Sequence, residues 1–154
     1  LVTGASAGIG RKVTERLAAE GYYVFAGARK EQDLKALDAI PNVRGVRLDV
    51  TSPADVAAAV ELVRASGRPL YGIVNNAGVE VARPLEQFDD DAWRQLLDVN
   101  LNGAIAVTRA ALERGVWVRP FRALVYTIPP YVSSEDEVAA IGAAIVGAVE
   151  EVHG

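Results

Sequence analysis

The chain has 154 residues, 51% of them hydrophobic, which fits one packed domain with little room for a second core. Its net charge of −4 and pI of about 5.0 leave no basic patch of the kind that binds nucleic acid. Cysteine is absent and histidine occurs once, which excludes disulfides and any thiolate or histidine-rich metal site. No apolar run approaches the roughly 18 residues of a membrane span, and no signal peptide is visible, so a cytoplasmic protein without a membrane partner is expected.

Residues 1–3 are typical of the end of a β-strand, and a glycine-rich turn follows them. Because Leu1 is not a methionine and a strand usually has roughly 5–6 residues, further residues are expected in front. Apolar spacing predicts a helix over about 9–20, which Gly21 ends as a C-cap glycine. The β-rich run 22–26 is predicted to be the second strand.

Strand and helix then alternate along the chain. A short helix is predicted over 31–39, a third strand over 43–48 and the core of a fourth strand over 72–74. Thr51 or Ser52 is predicted to cap the intervening helix, whose first position is a proline. This alternation predicts an α/β fold with a parallel sheet of about four strands.

A long helix is predicted from Asp89 or Asp90 to about Glu113. The apolar residues spaced for burial on this helix are Leu96, Leu97, Leu101 and Ile105.

The alternation stops after residue 114. Residues 116–128 are strand-like, and a last helix is predicted over about 135–152. We therefore expect a first domain over 1–114 and an α+β tail over 115–154 that ends in a helix and packs on that domain.

The turn over residues 3–10 has the sequence Thr-Gly-Ala-Ser-Ala-Gly-Ile-Gly between a strand end and a helix start. Gly4 allows the tight turn, Gly8 lets a pyrophosphate approach the backbone, and Gly10 permits close helix packing. The free N–H groups and the dipole of the helix N-terminus would then hold the phosphates. An ordinary glycine-rich connection between a strand and a helix is the alternative interpretation.

Polar residues follow two further predicted strands. Asp49 follows the third strand, where its carboxylate could accept a hydrogen bond from an adenine amino group. The segment Asn75-Asn76-Ala77-Gly78 follows the fourth strand. Because the carboxyl ends of parallel strands share one edge of the sheet, these residues are expected to line one ligand site.

Residues 1–114 resemble the short-chain dehydrogenase/reductase family, through the glycine turn, Leu48-Asp49-Val50, the Asn75 to Gly78 motif and the pair Val99-Asn100. The resemblance implies a truncated Rossmann-like sheet, because members of the family continue with more strands and helices. It also implies that the turn binds NAD(P) and that Asp49 contacts adenine. The candidate cofactor-binding residues are Gly4, Ser6, Gly8, Ile9, Gly10, Arg29, Asp49, Val50, Asn76, Ala77 and Gly78.

The end of the second strand indicates which cofactor is used. An NAD site usually carries an acidic residue there, which bonds the ribose 2′-hydroxyl. Here the segment is Ala28-Arg29-Lys30, and Arg29, helped by the Ser6 hydroxyl, could pair with a 2′-phosphate. NADP is therefore favoured over NAD, and a solvated surface arginine is the alternative interpretation of Arg29.

The resemblance implies a catalytic tyrosine with a lysine four residues on, and an asparagine linked to that lysine through water. No tyrosine here has such a lysine, since the only lysines are Lys12, Lys30 and Lys35. Asn100 alone matches the family's catalytic set. A catalytically silent NADP-binding fragment or fusion is therefore expected, and an oxidoreductase of carbonyl or alcohol substrates and a nucleotide-sensing or scaffold module are the alternatives.

Residues 112–154 resemble the C-terminus of the biotin-pathway diaminopelargonic acid aminotransferases, in the segments Arg119-Pro120-Phe121 and Pro129-Pro130-Tyr131. The resemblance implies that Arg119 grips a substrate carboxylate. None of the three lysines has the context needed to hold pyridoxal phosphate, so this cofactor is not expected, and an aminotransferase role is only a remote alternative. An unpaired sheet edge predicts self-association into a homo-oligomer.

Overall fold

The computed structural model describes residues 1–82 and 84–113. These residues fall in the first of two units into which the chain divides, Leu1–Arg119. The tail predicted over 115–154, with its strand-like run, its closing helix and Arg119, lies outside the described residues.

Helices alternate with parallel strands in the first half of the chain. The elements in order are α1 (Gly8–Ala19), β1 (Val24–Ala28), α2 (Glu31–Asp38), β2 (Val43–Arg47) and α3 (Pro53–Ala65). A 3-10 turn (Leu85–Gln87) then precedes one long helical segment, made of α4 (Asp90–Leu97), a π turn (Asp98–Asn102) and α5 (Gly103–Glu113).

The sheet is parallel and places the first predicted strand at its centre. β1 pairs with β2 from Val24 opposite Val43 to Ala28 opposite Arg47. Val2 forms parallel bridges to both Ala26 of β1 and Val74. The order across the sheet is therefore the chain at Val74, the chain at Val2, β1 and β2. The predicted α/β, Rossmann-like parallel sheet is confirmed, although the first and fourth predicted strands contribute only these single-residue bridges.

The predicted start of the second strand at residue 22 is wrong. Gly21, with φ 90°, turns the chain after α1, so its N–H donates to Ala18 and the Tyr22 N–H donates to Leu17. These two hydrogen bonds form the Schellman motif, which ends many helices. It uses the backbone of Tyr22, and β1 therefore begins at Val24.

Helices cover both faces of the sheet, which explains why all five residues of β1 are buried. On one face α1 and α2 pack on the strands, and the buried side chains there include Val2, Ala18 and Leu37. On the other face α3 and α5 do so, with Phe25 and Val107 among the buried residues.

The burial predicted for the long helix is wrong at two positions. Leu101 and Ile105 are 52% and 46% exposed, whereas Gly103, Val107 and Ala111 face the core. A Cβ on Gly103 would lie 2.6 Å from Val50 Cγ2, so this position on the core face of α5 requires glycine. Leu96 and Leu97 are half-buried.

Within the described ranges, no helix is long and apolar enough to cross a membrane. The same residues contain no group of three or more histidine, aspartate or glutamate side chains placed to hold a metal ion.

Candidate dinucleotide site

An open cleft of about 370 Å³ lies at the carboxyl ends of the strands. It collects nine of the eleven predicted cofactor-binding residues, from four separate stretches of the chain. These residues are Gly4, Ser6, Gly8, Arg29, Asp49, Val50, Asn76, Ala77 and Gly78. Ala7, Gly27, Ala28, Leu48, Val79 and Val99 complete the lining.

The N-terminus of α1 is unusually bare. Its N-cap residue Ala7 has an extended backbone and offers no side-chain hydrogen bond, and the first turn of the helix contains no acidic residue. The first N–H groups of a helix have no partner within the helix, and the helix dipole adds positive potential there. The tip of α1 is therefore suited to an anion such as a diphosphate.

Two glycines shape this turn in different ways. Gly4 has φ 65°, and a Cβ added to it would lie 2.8 Å from Ala77 Cα, so the close approach of the chain after residue 74 requires glycine. Gly8 has φ 56°, but no atom lies within 4 Å of the position its Cβ would take. Gly8 thus leaves open space at the bare helix tip.

Two predicted residues lie outside the cleft. The side chain of Ile9 is 72% exposed and lines a separate apolar groove on α1. Gly10 is buried behind the turn, where a Cβ would collide with the Asn76 amide and the Gly4 carbonyl. Its contribution to the site is therefore close packing of the helix against the residues that line the cleft.

Thr3 joins the glycine turn to the segment that follows Val74, a role that the sequence pattern did not predict. It is 1% exposed, and its Oγ1 accepts hydrogen bonds from the N–H groups of Asn76 at 3.0 Å and Ala77 at 2.9 Å. In return the Asn76 Nδ2 donates to the carbonyls of Thr3 and Gly4. A threonine directly before the first glycine was the available signal.

Asp49 lies in the wall of the cleft beyond β2. Its Oδ1 accepts hydrogen bonds from the Thr51 hydroxyl at 2.7 Å and the Thr51 N–H at 3.0 Å. These bonds, with smaller contributions from the charges of Arg29 and Arg47, hold the pKa of Asp49 below its ordinary value. At neutral pH the residue is an ionised acceptor beside Arg29, which is exposed at the rim.

Two asparagines fix the segment that follows the fourth strand position. Asn100, in the π turn, accepts from the Val79 N–H at 2.8 Å and donates to the Val79 carbonyl at 2.9 Å. The Asn75 Nδ2 donates to the Thr108 hydroxyl at 3.1 Å, while its buried Oδ1 has no hydrogen-bond partner among the described residues. The long helix thus holds this side of the cleft in place.

A parallel sheet with helices on both faces, a glycine turn at a bare helix tip and polar residues at successive strand ends are features typical of the dinucleotide-binding class of α/β proteins. The comparison with known families agrees. The chain belongs to the short chain dehydrogenase family, whose model matches residues 1–118.

Curated relatives resemble the same part of the chain. The 3-amino-tetrahydro-pyrrolizinone reductase of Xenorhabdus hominickii is 38% identical over 114 residues, which are 73% of this chain and 39% of that protein. The 3-oxoacyl-[acyl-carrier-protein] reductase FabG of Escherichia coli is 35% identical over 115 residues, 73% of this chain and 47% of the relative. The chain thus spans less than half the length of these relatives.

Solved structures resemble this one as well. An actinorhodin polyketide ketoreductase variant with NADPH has a TM-score of 0.68 and 34% identity, covering 74% of this chain and 48% of that one. A 3-ketoacyl-(acyl-carrier-protein) reductase from Brucella melitensis, complexed with NADH, has a TM-score of 0.68 and 27% identity, covering 73% and 47%. A nicotinamide dinucleotide is thus the cofactor class of these neighbours. The aminotransferase resemblance predicted for residues 112–154 stays a prediction.

Proposed function

We propose that residues 1–114 form the dinucleotide-binding domain of an NAD(P)-dependent oxidoreductase and that the cleft at the tip of α1 binds NADP(H). The observation that carries this proposal is the uncapped, acid-free start of α1 at Gly8, which opens onto a cleft lined by Asp49 and Asn76. The helix tip would hold the diphosphate, and Asp49 would accept a hydrogen bond from the adenine amino group.

The preference for NADP over NAD is part of the proposal. Arg29 directly follows β1 and lies at the rim of the cleft, and Ser6 lines the same cleft. No acidic side chain follows β1 before Glu31, the first residue of α2. A guanidinium that pairs with phosphate supports a 2′-phosphate at this position.

Ligand binding tests the proposed cofactor. Titration followed by nicotinamide fluorescence should give at least about tenfold tighter binding of NADPH than of NADH. Arg29→Ala should remove this difference by weakening NADPH alone, whereas Arg44→Ala, which removes an exposed arginine that does not line the cleft, should leave both affinities unchanged. Absence of binding at millimolar concentrations would contradict every dinucleotide assignment.

We further propose that this 154-residue chain binds the cofactor without transferring hydride by itself, because no tyrosine has a lysine four residues on. The test supplies NADPH as the reductant and ketones as substrates. We expect NADPH to be oxidised no faster than in the absence of the protein. The alternative, an oxidoreductase that uses other residues, is favoured by the reductase relatives. Cofactor-dependent turnover that is lost in Tyr126→Phe would establish that alternative.

A further inference from the structure

We propose that Asp55 is a positioning residue for the adenine side of the cleft, acting through the backbone of Asp49. This inference rests on the proposed binding of NADP(H). Asp55 does not line the cleft itself, and nothing in the sequence pattern separates it from an ordinary acidic residue in the first turn of a helix.

The side chain of Asp55 has an uncommon partner for its position. Asp55 is the third residue of α3, and its N–H donates to the N-cap Ser52 Oγ at 3.2 Å. In a capping box the acidic side chain at this position bonds back to the N–H of the N-cap residue. Here the Ser52 N–H donates to the Asp49 carbonyl instead, and the Asp55 Oδ2 accepts from the Asp49 N–H at 3.0 Å.

Asp55 therefore holds the N–H of the residue whose carboxylate faces the cleft. The Asp49 side chain is oriented separately by Thr51, so Asp49 is fixed at both its backbone and its carboxylate. A cleft wall held in its binding geometry beforehand loses less conformational freedom when a ligand binds, and this raises affinity.

The same carboxylate connects to the rim where the 2′-phosphate is proposed. Asp55 Oδ2 lies 4.0 Å from Arg47 Nε, and Arg47 Nη1 donates to the Arg29 carbonyl at 3.4 Å. The Arg47 side chain is 68% exposed and that of Asp55 only 23%, so the bond from Asp49 is the firmer part of this connection. One carboxylate thus holds the backbone of Asp49 directly and connects to the backbone of Arg29 through Arg47.

Three variants test the inference by NADPH and adenosine 2′,5′-bisphosphate affinity. Asp55→Ala should weaken both ligands about tenfold through loss of the Asp49 bond. Asp55→Asn, which keeps an acceptor oxygen, should restore both to within about threefold. Ser52→Ala, which removes the helix cap but leaves the Asp49 bond, should weaken them less than about twofold. If Asp55→Ala does not fold, Asp55→Ser, whose hydroxyl is too short to reach Asp49, takes its place.

A second readout separates positioning from stability. Amide hydrogen exchange at Asp49 should accelerate in Asp55→Ala and not in Ser52→Ala. If Asp55→Ala binds both ligands with wild-type affinity although its Asp49 amide exchanges faster, the inference is wrong while the proposed function stands. The same holds if Asp55→Ala and Ser52→Ala lose ligand affinity equally. Failure of the wild-type chain to bind either ligand would instead refute the proposed function.

Discussion

Thr3 illustrates how a single hydroxyl can organise a binding turn. Its Oγ1 receives two backbone N–H groups from the chain after Val74, and it donates to the Val74 carbonyl at 3.4 Å. A β-branched side chain of the same shape without the hydroxyl would leave the Ala77 N–H without this acceptor, whereas the Asn76 N–H also donates to the Val74 carbonyl at 3.0 Å. The glycine turn and the Asn76 segment would then keep the bonds from the Asn76 Nδ2 to the carbonyls of Thr3 and Gly4 but lose those to the hydroxyl.

Thr3→Val should lower the free energy of unfolding by about 1–3 kcal/mol, the cost of one buried donor, the Ala77 N–H, left without its acceptor. Thr3→Ser keeps the acceptor and should lose less. Urea unfolding of the two variants measures the difference, and equal stability of Thr3→Val and the wild-type chain would contradict the assigned role.

Substitutions of Gly8 and Gly10 should have different effects on ligand binding and on stability. Gly8→Ala places a methyl group in open space at the helix tip and in a backbone conformation that costs about 1 kcal/mol, so the fold should persist while NADPH binding weakens. Gly10→Ala should mainly destabilise the fold, because its methyl group meets Asn76 and Gly4. Gly21→Ala is the matched control, since φ there is 90° and the space is open but the residue lies away from the cleft. NADPH binding that weakens equally in Gly21→Ala would argue against a site at Gly8.

Thr51 sets the protonation behaviour of Asp49. Thr51→Val removes the strongest of the hydrogen bonds that depress this pKa, so the pKa of Asp49 should rise toward its ordinary value of 3.8. Because the folded-state pKa is depressed, Asp49 stabilises the fold above about pH 4 and loses this contribution as the pH falls through its folded pKa. Carboxyl-carbon NMR titration measures the shift, and Thr51→Ser should retain the low pKa.

At the scale of elements, the helices differ in how their N-termini are satisfied. Ser52 caps α3 and Asp89 caps α4, where it accepts from the Ala92 N–H at 2.7 Å. Both helices also carry aspartate in the first turn, which complements the helix dipole. α2 has no side-chain cap but carries Glu31 and Asp33 in its first turn, whereas α1 has neither feature. This contrast distinguishes α1, whose N-terminus opens onto the cleft, from α2, α3 and α4.

Ser52→Ala should lower the free energy of unfolding by about 1 kcal/mol through loss of the α3 cap. Ser52→Asp, which keeps a side-chain acceptor at the N-cap, should restore most of it. Thermal or urea unfolding measures both variants, and an unchanged midpoint for Ser52→Ala would show that water replaces the cap at no cost.

The long helix shows why periodicity alone misplaced a buried face. Apolar residues lie on more than one of its faces, and Leu101 and Ile105 are exposed while Val107 and Ala111 are buried. The π turn between α4 and α5 also breaks the regular 3.6-residue phase. Gly103 lies on the core side against Val50, where only a residue without a Cβ fits.

At the scale of the molecule, the part of the sheet formed by residues 1–82 and 84–113 has two edges of different character. At the β2 edge the Gly45 N–H donates to Asp38 Oδ1 of α2 at 2.7 Å, so a side chain already occupies an outward donor. At the opposite edge Val74, which is 36% exposed, is bridged on its inner side to Val2. Open strand edges favour pairing with another chain, so the Val74 edge is where we expect self-association.

Sedimentation velocity over a range of concentrations should show a dimer or larger species for the wild-type chain. Val74→Lys places a charge at the edge and should shift the equilibrium toward monomer. Ile105→Lys, at an exposed position on α5, serves as the comparison. A wild-type monomer at all concentrations, or dissociation by Ile105→Lys alone, would contradict association through the sheet edge.

The local chemistry of the site could be predicted from the sequence, because it depends on neighbours along the chain. A glycine turn before a helix, Ser52 ahead of Pro53 and a polar residue directly after a strand each act within a few residues. The parallel sheet followed from the alternation of such segments, and the nine predicted residues in the cleft lie together because parallel strands end at one edge.

Only the tertiary structure decided which residues hold those pieces together. The Thr3 hydroxyl bonds to an N–H 73 residues away, and the core-facing side of α5 depends on Val50, more than 50 residues earlier. The Asp49–Asp55 bond spans just six residues, yet it too escaped the pattern, since a first-turn aspartate has several acceptable partners. Such choices follow from packing and hydrogen-bond satisfaction in three dimensions, which periodicity along the chain does not encode.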